Sequence, residues 1–92
     1  MATYLMFGKY STEAAKAISA KRTDQAVATI KQNGGELKAG YALLGDIDLV
    51  LIVDLPDTEH AMKTSAALSK LLGVSFSTAP ALSMEAFDKL IG

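Results

Sequence analysis

The chain has no cysteine and no tryptophan, and only one histidine, His60. Without cysteine there is no disulfide, no thiolate metal site and no Cys nucleophile. A single histidine leaves no His-rich metal site within one protomer. Charge of one sign is also lacking. Nine Lys and Arg stand against ten Asp and Glu, so the basic footprint of a nucleic-acid binder is missing. The longest apolar run, Leu49 to Val53, is far short of a membrane span. The opening Met1-Ala2-Thr3-Tyr4 carries no basic n-region of a secretory signal, which makes cytoplasmic residence the expectation. Glycine-rich phosphate loops, a Gly-x-Ser-x-Gly elbow and a His-Glu-x-x-His pair are all missing. No cofactor and no metal are expected.

What is present is apolar bulk. Half of the 92 residues are hydrophobic. A chain of this length suits one domain, and it buries only about 60–65% of the surface its unfolded form exposes. The surplus predicts an oligomer surface.

Thr3 to Phe7 is apolar or aromatic at both parities, the mark of a strand covered on both faces. Ser11 and Thr12 open an Ala-rich helical stretch, with Glu13 in its first turn. Thr23 is placed to cap a second helix, whose inner face holds Ala26, Val27 and Ile30 and which stops at Asn33-Gly34-Gly35. Glu36 to Leu44 alternates, with Leu37, Ala39, Tyr41 and Leu43 sharing one face. Gly45-Asp46 fits a two-residue hairpin turn, and Ile47 to Leu55 is the most aliphatic strand. Asp57 or Thr58 caps a helix to about Leu72, with Ala61, Ser65, Leu68 and Leu72 on one side, joined by Met62 and Leu71; Gly73 ends it. Val74 to Ala79 reads as a short edge strand closed by Pro80. Ser83 caps a last helix whose sticky side is Phe87, Leu90 and Ile91.

The element order is β-α-β-β-α-β with a short C-terminal helix, an α+β arrangement of the ferredoxin-like type filling residues 1–92 as one domain. The first and third strands are the most apolar, as its inner pair should be. Both helices pack on one face of such a sheet. The other face, also apolar here, predicts a dimer or higher homo-oligomer with sheets meeting face to face.

The run Gly40-Tyr41-Ala42-Leu43-Leu44-Gly45-Asp46-Ile47-Asp48-Leu49-Val50, followed by Asp54-Leu55-Pro56-Asp57, resembles the GYD domain family. So do the opening Thr3-Tyr4-Leu5-Met6 and the Gly34-Gly35 pair. The resemblance implies a ferredoxin-like fold and a dimeric α/β-barrel assembly; it implies no established activity. The family pattern at the hairpin is Gly-x-Tyr-Asp. Gly45 and Asp48 match it, and Ile47 stands where the tyrosine would be.

Few side chains suggest chemistry. Asp48 opens an otherwise apolar strand. It is either a partly desolvated base or ligand anchor, or a local acceptor for backbone amides. His60, in a first helical turn, is either an acid/base group or an exposed histidine. Tyr4 and Tyr41 are either pocket-lining residues with a polar handle or core and interface groups. Lys9, Tyr10, Lys21 and Arg22 offer an anion site or a solvated basic turn.

Three functions compete: an oligomeric module binding a small apolar or aromatic molecule; a cofactor-independent enzyme, isomerase or monooxygenase-like, using Asp48 or His60 beside a tyrosine-lined pocket; and a structural or regulatory assembly partner. The first accounts for most of these features.

Overall fold

A computed structural model describes residues 1–92. Strand β1 (Ala2–Tyr10) leads through α1 (Thr12–Lys16) and α2 (Ala20–Gln32) to β2 (Glu36–Ala42) and β3 (Leu49–Leu55). Helix α3 (Thr58–Leu72), strand β4 (Val74–Ala81) and helix α4 (Met84–Ile91) follow. The four strands form one antiparallel sheet in the order β2-β3-β1-β4. This is the ferredoxin-like arrangement, with β1 and β3 as its inner pair.

Helices α2 and α3 cover one face. Tyr4 and Met6 of β1 and Val53 and Leu55 of β3 point into it, where they meet Ala26 and Ile30 of α2 and Ala61, Leu68 and Leu72 of α3. The intervening Leu5, Phe7, Val50 and Ile52 lie on the opposite, open face and are only half buried. Helix α4 buries no residue, and Met84, Phe87, Leu90 and Ile91 all stand exposed. The molecule is accordingly long and thin, 47 × 30 × 19 Å.

Local chemistry sets the boundaries. The Ser11 hydroxyl caps α1 by accepting from the Ala14 amide. Helix α2 starts earlier than Thr23, because the Ser19 hydroxyl accepts from the Arg22 amide and so captures the cap. After α2, Gly35 runs so close to β3 that a Cβ would sit 2.6 Å from the Asp54 carbonyl oxygen, which excludes any side chain there. Gly73 ends α3 in the left-handed conformation at φ 67°, and its amide returns to the Ser69 carbonyl. Strand β4 runs on through Pro80 to Ala81. It is an edge strand with a neighbour on one side only, a setting that tolerates a residue lacking an N–H.

Two sequence expectations about facing are corrected. The register steps from Leu37 opposite Val53 to Ala39 opposite Ile52, so Lys38 is an extra residue in a β-bulge. Leu37 therefore faces the helices, whereas Ala39 and Tyr41 turn to the open face. In α3 it is Thr64, not Met62 or Leu71, that is buried. Its hydroxyl donates to the His60 carbonyl at 2.7 Å, which removes the penalty of burying it.

At the β2–β3 connection, Tyr41 opposite Val50 and Ala42 opposite Leu49 centre the turn on Gly45 and Asp46. The regular ladder stops at those pairs, short of the expected Leu44 and Ile47. Beyond it the Leu43 amide still donates to the Asp48 carbonyl at 2.8 Å.

A cleft between α3 and β4

The residues singled out in the sequence are scattered. Tyr4 is 4% exposed beneath α3, and Tyr41 is 59% exposed on the other face of the sheet at the far strand. They share no pocket. The Asp48 carboxylate accepts the Tyr10 amide at 2.8 Å, and its own amide donates to the Gly8 carbonyl at 2.9 Å. It thus ties the end of β1 to the hairpin, an occupation for backbone that follows from a short acceptor side chain beside an unpaired N–H.

His60 sits at the opposite end of β1 from Asp48, on the exposed first turn of α3. Its Nδ1 lies 2.6 Å from the Asp57 carboxylate, which also accepts the His60 amide at 2.9 Å. The Asp57 carboxyl is held below its ordinary value, first by that amide bond and then by the imidazole. This is a helix cap with a histidine laid over it. The Arg22 guanidinium donates to the Leu72 carbonyl at the end of α3, so it is engaged in closing a helix terminus.

Where chemistry does gather is a cleft of about 440 Å³ between α3 and β4. Its floor follows from strand parity. Phe76, Thr78 and Pro80 alternate onto the helix-facing side of β4, beside Gly8, Met6 and Tyr4 of β1 respectively. Its wall follows from helical spacing: Thr58, Ala61, Met62, Ser65, Ala66 and Ser69 turn one side of α3 toward it. None of these residues carries a charge.

Five hydroxyls line the cleft: Ser69, and four that come as two pairs. Ser65 and Thr78 lie 2.6 Å apart across it, each fully able to serve the other. Tyr4 and Thr58 lie 3.5 Å apart at the mouth, beyond the usual range for O–H···O contacts. The Tyr4 hydroxyl is thus at the end of a buried ring with no other partner.

Of the residues predicted from sequence, only Tyr4 belongs to the cleft. Nothing in the sequence marks the rest, since Ser65, Ser69 and Thr78 become neighbours only when α3 packs beside β4. The open face carries a smaller polar group at one end. Thr3 donates to Asp54 at 2.8 Å, and the Lys38 ammonium lies 3.8 Å from the same carboxylate. No three His, Asp or Glu side chains come together as a metal site, and no helix is long and apolar enough to cross a membrane.

The GYD domain family model matches residues 4–91, and the chain belongs to that family. No curated relative matches the chain. Among solved structures it is similar to the Mycobacterium tuberculosis leucine response regulatory protein, with a TM-score of 0.60 at 12% identity over 90% of this chain. It is also similar to an AsnC family transcriptional regulator from Agrobacterium tumefaciens, with a TM-score of 0.59 at 17% identity over 89% of this chain. This chain spans about half the length of each, 51% and 50%. At such identities the likeness establishes the fold.

Proposed function

We propose that this GYD domain is an oligomeric module that binds a small apolar or aromatic molecule in the cleft between α3 and β4. The observation that carries the reading is the cleft itself. Its volume of about 440 Å³ lies within the range of about 300–1,000 Å³ usual for ligand pockets. Its walls combine apolar surface with a few convergent hydroxyls, the composition that fixes the orientation of a small ligand. The candidate acid and base lie elsewhere. Asp48 is occupied by the Tyr10 amide and His60 by Asp57, and neither lines the cleft, so binding is favoured over catalysis.

The oligomeric part of the proposal rests on the open face. Leu5, Phe7, Val50 and Ile52 form a continuous apolar field there, and two copies meeting through it would dry these side chains. Full burial from an exposed state is worth about 1.5–3 kcal/mol per side chain, and since these are already half buried, pairing would add about half of that each before the cost of association. A second reading, an assembly or regulatory partner, is favoured by α4, whose apolar stripe is exposed along its whole length. The two solved neighbours are regulators by name, and shared fold alone does not transfer that role.

Native mass spectrometry of the freshly purified protein tests the proposal. An oligomer with additional retained mass, lost on unfolding, is the expected result. A ligand-free oligomer moves the assignment to the assembly role, and a clean monomer removes the paired-sheet arrangement.

A further inference from the structure

We infer that the cleft selects an uncharged ligand, anchored through a single polar atom by the Tyr4 hydroxyl; this rests on the reading of the cleft as a binding site. Two observations carry it. The first is the lining, in which not one side chain bears a charge. A carboxylate or ammonium seated between Met62, Ala66, Phe76 and Pro80 would give up part of its hydration to uncharged walls with no counter-charge in return, and withdrawing an unpaired charge from water is unfavourable.

The second is the contrast between the two hydroxyl pairs. Ser65 and Thr78 serve each other at 2.6 Å and have little to offer a ligand. The Tyr4 hydroxyl belongs to a residue 96% withdrawn from solvent, inverting its 4% exposure, and its one contact is Thr58 at 3.5 Å. The hydroxyl is the partly buried tip of that ring, and a contact as long as 3.5 Å leaves most of its hydrogen-bonding capacity free for a ligand. It opens onto the cleft, so a ligand oxygen or nitrogen arriving there would complete it. Thr58, with a hydroxyl that both donates and accepts, stands beside it as a second partner.

The ligand is therefore a compact molecule with an aromatic or branched aliphatic body and one neutral hydrogen-bonding end, such as a hydroxyl, a carbonyl or an amide. The body lies along Met62, Ala66 and Phe76, and the polar end points to Tyr4. Discrimination comes from the geometry: an analogue without the polar end leaves the Tyr4 hydroxyl unpaired, and a charged analogue finds no partner.

Three probes of one shape test this on the full chain: 4-methylphenol, toluene and 4-methylbenzoate, titrated while backbone amide resonances are followed by NMR. The expected result is that 4-methylphenol perturbs amides of α3 and β4 and binds about three- to tenfold more tightly than toluene, the worth of one neutral hydrogen bond. The benzoate should bind more than about tenfold more weakly than the phenol, because its charge is uncompensated. In Tyr4→Phe, which keeps the buried ring, the preference for phenol over toluene should fall to near unity.

Equal or tighter binding of the benzoate overturns the inference, as does a phenol preference that survives Tyr4→Phe. Equal binding of toluene and phenol overturns it while leaving the cleft a binding site. If none of the probes shifts an α3 or β4 amide, both readings fall. The comparison of probes on the unaltered protein decides the matter even if Tyr4→Phe fails to fold.

Discussion

The two faces of the sheet are built from the same strands and from equally apolar side chains, yet only one is dry. On the helix-covered face Met6, Val53 and Leu55 have no exposed surface. One residue along, on the open face, Leu5, Ile52 and Phe7 are only half withdrawn from water. Alternation in a strand normally separates apolar from polar positions when one face meets solvent. Here β1 and β3 do not alternate: both of their faces are apolar. Helices α2 and α3 cover one of these faces within the chain, and the other is open.

The strongest way to break this comparison is to open a hole in the dry face. Leu55→Ala should cost about 2–5 kcal/mol of folding stability, the usual toll for a large-to-small change at a fully buried site. Urea unfolding checks it, and the loss should be the same at every protein concentration. A loss under 1 kcal/mol would mean that the covered face is not the main source of stability.

The wet face should answer differently. Ile52→Asp places a carboxylate in the middle of the open field, where a monomer tolerates it in solvent and a paired sheet does not. Sedimentation velocity should show the association weakened by about a hundredfold or more, equivalent to about 2.7 kcal/mol, while the circular dichroism of the dilute protein stays as before. An unchanged oligomer, or loss of fold at all concentrations, would break the distinction between the faces.

A gentler change sharpens the comparison by acting on the cover alone. Asp57 starts α3, and its carboxyl is held below its ordinary value of 3.8 by the His60 amide and imidazole. The folded-state pKa is the lower one. The ionised carboxylate therefore supports the fold above pH 3.8, and that support is lost as the pH falls through the folded-state value. Asp57→Asn keeps a good helix cap and removes the titration. Its acid unfolding curve should lack this component, so that the two proteins differ in slope below pH 3.8 and converge in shape above it. Identical acid profiles would show that this end of α3 contributes nothing to acid sensitivity.

Much of the fold was legible because its signals are periodic. The two apolar parities of Thr3–Phe7 and Leu49–Val53 marked the inner strands, and Asn33-Gly34-Gly35 and Gly73 marked helix ends that the backbone indeed needs. What was hidden depended on partners distant in sequence. The Lys38 bulge is invisible from within β2, since Leu37, Ala39 and Tyr41 alternate perfectly well on paper; only the pairing with β3 reveals the shift. Thr23 was placed to cap α2 by its sequence position, but Ser19 holds the cap, with its hydroxyl accepting from the Arg22 amide. The cleft was the least legible part. Tyr4 could be picked out as an aromatic with a polar tip. Thr58, Ser65 and Thr78 are ordinary residues until α3 is laid across β1 and β4 and their hydroxyls meet.

The bulge also bears on which changes in chain length this protein can absorb. Strand β2 holds one residue more than β3 requires, and Lys38 is that residue, since it has no Cα partner. Removing it would close the ladder into plain alternation with Leu37 still toward the helices and Tyr41 still toward the open face. Only its ion-pair contacts with Asp54 and Glu36 would be given up. Deleting either neighbour of the aligned pairs in β3 would instead turn every following side chain over. One strand of the hairpin can thus be shortened by a single codon without disturbing either surface, and the strand beside it cannot.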